Sequence, residues 1–151
     1  MKVASIGLGL IGGSFALALQ ENDQEIEIWG VDQNHAHIEA ALARKIIHHK
    51  GDVNQLENFD LIVVSIPVDA ATELIGNLLN QVKKDALVID MGSTKNDICN
   101  SVNNHPKRDQ FLALHPIAGT EFSGPKAAFS SLFYEATMIV CEAEKTDEEL
   151  K

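Results

Sequence analysis

A glycine-rich hexapeptide near the start of the chain constrains the fold more than any other feature. Gly7, Gly9 and Gly12 form the pattern G-x-G-x-x-G between an apolar strand pattern, Lys2–Ile6, and an apolar helix pattern, Leu10–Gln20. In such a turn the first glycine allows the tight turn, the second lets a pyrophosphate approach the backbone, and the third lets helix and strand pack closely. The free N–H groups at the helix N-terminus would then hold the diphosphate. A glycine-rich turn without a ligand is the alternative.

An aspartate at the end of the second predicted strand indicates which dinucleotide such a turn would hold. Asp32 directly follows the strand pattern Glu25–Val31. Its carboxylate can accept hydrogen bonds from the adenosine ribose and would repel a 2′-phosphate. The next two residues are glutamine and asparagine, so no arginine stands beside it. The sequence therefore predicts NAD rather than NADP, unless Asp32 only caps the helix that starts near His35.

The rest of the chain continues to alternate strand and helix patterns. Continuous apolar runs such as Leu61–Ile66 are typical of strands buried on both faces of a parallel sheet. We therefore predict one α/β domain over residues 1–151, a doubly wound, mainly parallel sheet with helices on both faces. The further predicted elements are strands at Ile46–His49, Ala86–Asp90, Phe111–Leu114 and Thr137–Cys141, helices at His35–Lys45, Asp69–Val82 and Thr94–Asn103, and a loop with a short helix at Gly119–Ser131.

Ligands of such sheets bind outside the carboxyl ends of the strands. Ser65 and Pro67 lie at one of these ends, and Ser93 follows another, where it could equally be an ordinary helix N-cap. The predicted cofactor-binding residues are Gly7, Gly9, Leu10, Ile11, Gly12, Asp32, Ser65 and Pro67.

Composition narrows the classes of partner. The formal net charge of −10 over 151 residues argues against nucleic acid and anionic membranes. The two cysteines are too few for a disulfide scaffold, which favours a cytoplasmic setting. The uncharged stretch Val3–Leu19 could suggest a signal peptide or a short membrane span, but its four glycines and two serines argue against both.

One histidine differs from the other five. His115 ends the predicted strand Phe111–Leu114 and is followed by Pro116, so it would face the same crevice as the cofactor. A loop histidine packed against the sheet is the alternative. The remaining histidines lie in polar helix or loop segments, and we expect no metal site from them.

Three segments together resemble the prephenate dehydrogenase family. They are Gly7–Ser14 (GLGLIGGS), Asp90–Lys95 (DMGSTK) and His115–Gly124 (HPIAGTEFSG). Many Rossmann-type enzymes share the first segment, whereas the other two are more specific. The resemblance implies NAD-dependent oxidative decarboxylation of prephenate to 4-hydroxyphenylpyruvate in tyrosine biosynthesis, or the same reaction on arogenate.

The resemblance also implies roles for single residues. His115 would be the catalytic histidine that accepts the hydroxyl proton, and Ser93 would orient the substrate hydroxyl and the cofactor. Thr120 and Glu121 match the loop that lines the site. The family continues into a helical domain that forms the homodimer and supplies arginine for the substrate carboxylates. Of the nearby cations, Lys95, Arg108 and Lys126, none is clearly placed to replace that arginine.

The end of the chain carries a helix-start pattern. Thr146 and Glu149 have the spacing of a capping box, which predicts a helix from about residue 147 and a longer natural protein. A frayed acidic tail is the alternative.

Two other functions compete with the main prediction. One is a dehydrogenase of another class, such as a β-hydroxyacid dehydrogenase. The other is an NAD-binding regulatory module.

Overall fold

The computed structural model describes residues 1–151. Its strands are β1 (Lys2–Ile6), β2 (Glu27–Val31), β3 (His49–Lys50), β4 (Leu61–Val64), β5 (Leu87–Asp90), β6 (Phe111–Ile117) and β7 (Thr137–Cys141). Its α-helices are α1 (Leu10–Asn22), α2 (His35–Ala43), α3 (Val68–Gln81) and α4 (Asn96–Val102). Short 3₁₀ helices lie at Arg108–Gln110, Pro125–Ala127, Ser130–Phe133 and Ala143–Lys145.

All seven strands form one sheet in the order β3-β2-β1-β4-β5-β6-β7. The first six strands are parallel, and β7 pairs antiparallel with β6 at the edge. The predicted doubly wound α/β fold is therefore confirmed. The chain leaves β1 toward β2 on one side and returns to β4 on the other, so the carboxyl ends of β1 and β4 flank the crevice where such sheets bind ligands.

The sheet is covered on both faces, and alternate residues of a strand contribute to different cores. Ala4 and Ile62 pack on the face that α3 and α4 cover, whereas Val3 and Val63 pack on the face that α2 covers. Continuous apolar strands follow from this arrangement, because neither face of the central strands meets water.

Helix α1 approaches the sheet through its smallest side chains. Gly12, Gly13 and Ala16 are buried, whereas the larger Phe15 is only half-buried and packs edge-on against Phe133. None of the helices combines the length and apolarity needed to cross a membrane.

Two predicted strands differ most from the structure in their bounds. Strand β6 runs to Ile117 rather than Leu114, because β7 pairs with it beyond Ala113, where its ladder with β5 ends. Pro116 is tolerated there because the strand is paired on one side only. The 46–49 strand is shifted to His49–Lys50, where it pairs with β2.

The capping box at the end of the chain is not formed. The buried Thr146 hydroxyl donates to the Phe111 carbonyl oxygen at 2.7 Å. The Glu149 N–H donates instead to the Asp147 carboxylate at 2.9 Å, as part of a turn. Thr146 thus ties the end of the chain to the start of β6.

Candidate cofactor and active site

The glycine turn after β1 has three positions with different steric demands. Gly7 has φ +91°, a region that favours glycine, and a Cβ there would lie 2.5 Å from the Ser65 carbonyl oxygen. A Cβ on Gly12 would lie 2.1 Å from the Gly7 carbonyl oxygen. A Cβ on Gly9 would meet no atom within 4 Å. Gly7 and Gly12 are therefore required by packing, whereas Gly9 leaves open space for a ligand.

The start of α1 is free to bind an anion. Gly9 is its N-cap and supplies no side-chain hydrogen bond. The N–H groups of the first turn, including those of Leu10 and Ile11, have no partner within the helix. They carry the positive end of the helix dipole, which suits a diphosphate in a chain with an overall negative charge.

Ser65 braces the glycine turn from the neighbouring strand. Its hydroxyl donates to the Gly7 carbonyl oxygen at 2.8 Å, and its N–H donates to the Ile6 carbonyl oxygen at 2.8 Å. Pro67 is exposed and forms the N-cap of α3. Ser65 thus couples the end of β4 to the turn after β1, and its hydroxyl is already occupied by the backbone.

A cavity of about 470 Å³ lies at the switch point between β1 and β4. Five of the predicted cofactor residues line it: Gly7, Gly9, Asp32, Ser65 and Pro67. Leu10 and Ile11 are half-buried in the first turn of α1, and Gly12 is buried behind it. The other lining residues are Ile6, Val31, Gln33, His37, Val53, Ile66, Ala70 and Leu74.

Asp32 connects the floor of this cavity to the glycine turn. Its Oδ2 accepts the Leu8 N–H at 2.9 Å, and its Oδ1 accepts the Asn34 N–H at 2.8 Å. The cap of α2 is Asn34, whose side chain accepts the Ala36 N–H at 3.0 Å. The alternative interpretation of Asp32 as the helix cap is therefore wrong.

The sequence analysis missed His37. It was assigned to a solvated helix surface, yet its imidazole lines the cavity, and its Nδ1 lies 3.2 Å from Asp32 Oδ2. Its place in the first turn of the helix that follows Asp32 was the available signal, because that turn faces the carboxyl edge of the sheet. Val53 also lines the cavity, from the connection after β3, and no sequence pattern pointed to it.

His115 and Ser93 lie on the neighbouring strands β6 and β5, toward the carboxyl edge of the sheet: Ser93 follows β5, and His115 lies within β6. Asp90, the last residue of β5, is in register with Ala113 in β6, so Ser93 follows the end of β5 and His115 lies in β6 just beyond its pairing with β5. His115 is half-buried and pairs with Ile139 of β7. Ser93 is exposed, and α4 begins at Asn96 with Lys95 as its N-cap. The alternative of Ser93 as the helix cap is therefore wrong, and its hydroxyl is not committed to a helix end.

Thr120 and Glu121 are exposed on the loop after β6. Thr120 Oγ1 accepts the Phe122 N–H at 3.2 Å, which stabilises the loop locally. The segment that follows is anchored to α1 and α2. Arg44 donates to the carbonyl oxygens of Pro125 and Ala128, and the Phe129 N–H donates to the Ser14 hydroxyl, which lies in the buried part of α1.

The three cations differ in their availability, and Arg108 does not lie near the site: it precedes β6, at the amino end of that strand, away from the carboxyl edge that carries the cavity. Lys95 is paired with the buried carboxylate of Asp90. Arg108 is buried and donates to Glu142 at 2.9 Å and to the Phe111 carbonyl oxygen at 2.9 Å. Hydrogen bonds from Lys145 and then Arg108 lower the pKa of Glu142 from its ordinary value. Lys126 is exposed and makes no ion pair. Lys95 and Arg108 are thus committed to internal carboxylates.

Known proteins resemble this chain in sequence and fold. Residues 15–151 match the family model described as prephenate dehydrogenase, nucleotide-binding domain. The prephenate dehydrogenase of Lactococcus lactis is 35% identical over 153 residues, an alignment that covers 99% of this chain and 43% of the relative.

Two solved structures extend the similarity. The Aquifex aeolicus prephenate dehydrogenase in complex with hydroxyphenyl propionate and NAD+ has a TM-score of 0.88 and 31% identity, covering 99% of this chain and 53% of that one. The Synechocystis arogenate dehydrogenase has a TM-score of 0.87 and 29% identity, covering 99% of this chain and 52% of that one. The chain therefore spans about half the length of these proteins or somewhat less, and it belongs to the family of prephenate dehydrogenase nucleotide-binding domains.

Proposed function

We propose that this chain is the NAD-binding domain of an enzyme that oxidatively decarboxylates prephenate to 4-hydroxyphenylpyruvate in tyrosine biosynthesis. One observation carries the proposal: a dinucleotide-type cavity and the pair Ser93 and His115 open at the same edge of one sheet. The family match and the Aquifex aeolicus protein, whose structure contains NAD+, support it.

The residues of the cavity fit NAD. The open space at Gly9 and the uncapped start of α1 suit the pyrophosphate. Asp32 has an oxygen with remaining capacity to accept a ribose hydroxyl, and its charge disfavours a 2′-phosphate. Apolar side chains such as Ile66 and Leu74 suit the adenine ring. When bound, NAD supplies the two-electron acceptor for the oxidation.

Within this mechanism His115 handles the proton. The substrate hydroxyl must lose its proton as the ring carbon becomes a carbonyl carbon, and the neutral imidazole of His115, in the second half of β6, is a suitable acceptor. Ser93 would orient that hydroxyl with its uncommitted side chain. Loss of carbon dioxide then makes the ring aromatic, so the substrate itself supplies the driving force. Thr120 and Glu121 would line the substrate side.

We further propose that substrate turnover requires a second domain. The substrate has two carboxylates, and Lys95 and Arg108 are already paired with carboxylates of this chain. The edge strand β7 exposes Met138 and Val140 on one face and Ile139 on the other, an apolar edge that a second domain would bury. This surface would also contribute to the homodimer of the complete enzyme. Arogenate is the second candidate substrate, favoured by the similarity to the Synechocystis arogenate dehydrogenase.

Two measurements test the proposal. Calorimetric titration of the chain should show tighter binding of NAD than of NADP, and Asp32→Ala should reduce this difference by about 1.5–3 kcal/mol, the range for hydrogen bonds to charged groups. The absorbance of NADH should rise with prephenate or arogenate only when the second domain is present. Equal affinity for both nucleotides, or turnover by a highly purified isolated chain, would contradict the respective part of the proposal.

A further inference from the structure

His37 occupies the edge of the cavity next to Asp32. The His37 side chain is 36% exposed and that of Asp32 is 13% exposed, so solvent reaches the imidazole while the carboxylate lies below it. The Nδ1 atom of His37 lies 3.2 Å from Asp32 Oδ2. On its other side, His37 Nε2 lies 3.7 Å from the point where a Cβ on Gly124 would stand. The imidazole thus sits between the Asp32 carboxylate and the loop that follows β6.

The hydrogen bonds already made by Asp32 limit what it can bind. Its Oδ2 accepts from Leu8 N at 2.9 Å and faces His37 Nδ1, so both of its lone pairs are engaged. Its Oδ1 accepts one hydrogen bond, from Asn34 N, and can accept one more. While His37 stays in place, Asp32 can therefore accept one ribose hydroxyl, and the neighbouring hydroxyl needs another acceptor.

The protonation state of His37 determines whether it is that acceptor. An ionised carboxylate only accepts, so we assign the hydrogen on Nδ1. Neutral His37 then presents Nε2 as an acceptor, which suits a ribose hydroxyl. Protonated His37 presents an N–H donor and a positive charge, which suits a phosphate. Imidazoles exchange a proton within the physiological pH range.

Asp32 is the one carboxylate within 4.0 Å of a ring nitrogen of His37. The titratable and charged groups on the elements packed here are His35 and Glu39 on α2, Arg44 at its C-cap, Glu121 on the loop after β6 and Lys126 on the 3₁₀ helix Pro125–Ala127. Arg44 is directed to the carbonyl oxygens of Pro125 and Ala128. Asp32 is therefore the principal electrostatic partner of His37.

We propose that His37 is a specificity-determining residue of the nucleotide site, whose protonation lowers the discrimination against a 2′-phosphorylated adenosine. Neutral His37 and Asp32 together accept the two ribose hydroxyls and favour NAD. Protonated His37 offsets the charge of Asp32 and donates a hydrogen bond to the 2′-phosphate. The difference in affinity between NAD and NADP therefore becomes smaller as the pH falls. This inference rests on the proposed binding of NAD beside Asp32.

The test compares the parent chain with His37→Asn. Asparagine can keep an N–H donor toward Asp32, but it does not titrate. Calorimetric titrations with NAD and NADP at about pH 8 and about pH 6, within the range where imidazoles exchange a proton, give the ratio of the two dissociation constants. In the parent chain we expect this ratio to shift toward NADP by about tenfold on acidification, the scale of one charge-assisted hydrogen bond.

The His37→Asn variant distinguishes the effect of His37 protonation from that of the 2′-phosphate, because the phosphate also gains a proton near pH 6. Any shift of the ratio that remains in the variant is caused by protonation of the phosphate. We expect this shift to be much smaller than the shift in the parent chain. Equal shifts in both chains, in variants that circular dichroism shows to be folded, would overturn the inference while leaving NAD binding intact. Failure of the parent chain to bind either nucleotide would overturn the proposed function and this inference with it.

A second readout does not depend on affinity. In heteronuclear NMR the ring nitrogens of His37 report its protonation directly. NADP should raise the pH at which His37 loses its proton, whereas NAD should not. A NADP-bound chain in which His37 titrates as it does in the NAD-bound chain would contradict the proposed contact with the phosphate.

Discussion

Lys95 and Asp90 form an ion pair between the two ends of the short segment that contains Ser93. The Asp90 side chain is 1% exposed and that of Lys95 is 10% exposed, so the pair is shielded from water. The other carboxylate oxygen of Asp90 accepts the Gly92 N–H at 3.1 Å. The two residues therefore fix both ends of a short connection at the carboxyl edge of the sheet.

Removing the cation alone should leave a buried charge without its partner. We expect Lys95→Met to lower the free energy of unfolding by about 3–5 kcal/mol, and the double variant Asp90→Asn, Lys95→Met to recover most of that loss. Urea unfolding measures both. Lys84→Met, which removes an exposed lysine without an ion pair, is the control. A loss in Lys95→Met no larger than in the control would show that the pair contributes little to stability.

Substitutions in the glycine turn should affect NAD binding and domain stability separately. Gly9→Val should abolish NAD binding while the thermal midpoint changes little, because the site of its Cβ is open. Gly12→Ala should instead destabilise the domain, because its Cβ would lie 2.1 Å from a backbone oxygen. Circular dichroism melts and calorimetric titrations distinguish the two effects. Retained NAD affinity in Gly9→Val would mean that this position does not face the pyrophosphate.

Asp60 should make the stability depend on pH in the acid range. The hydrogen bond from Lys83, and then that from the Lys2 N–H, lower the pKa of Asp60 from its ordinary value of 3.8. An acid with a lower pKa in the folded chain stabilises that chain above the unfolded-state pKa. This contribution is lost as the pH falls through the folded-state pKa. Asp60→Asn should therefore lower the free energy of unfolding at pH 7, and the two chains should converge only below the folded-state pKa of Asp60.

The size of this effect is limited by solvent. The side chains of Lys83 and Asp60 are 40% and 37% exposed, so we expect a difference at neutral pH of about 0.2–1 kcal/mol, smaller at high salt. Urea unfolding at several pH values measures it, with Glu57→Gln as a control that removes an exposed carboxylate without an ion pair. A difference that persisted unchanged into strong acid would exclude the ionised carboxylate as its source.

His115→Asn should slow catalysis without lowering the affinity for NAD. In a chimera of this chain with the part of the Lactococcus lactis relative that the alignment does not cover, we expect turnover to fall by about 10²–10⁴, the range for a lost general base. Turnover of the parent chimera should also decline in acid, because a protonated imidazole cannot accept the hydroxyl proton. NAD affinity of the isolated chain should barely change on the same substitution. Normal turnover in the variant would assign the proton transfer to another group.

The sequence alone predicted the fold and the cavity because their signals are local. The glycine spacing, the uninterrupted apolar strands and the aspartate after β2 each report a backbone requirement within a few residues. Asp32, Gly9 and Ser65 accordingly line one cavity, as expected for a parallel sheet with this strand order. The family model confirmed the resemblance that the motifs suggested.

Only the tertiary structure determined which hydrogen-bond partners the polar side chains have. Ser93 and Thr146 carry helix-cap patterns, yet α4 begins at Asn96, and the Thr146 hydroxyl bonds the carbonyl oxygen of Phe111, 35 positions earlier. His37 reads as a solvated helix residue, but the packing of α2 beside β2 brings it to Asp32. Hydrogen bonds between distant positions depend on how the elements pack, and local patterns in the sequence do not encode that packing.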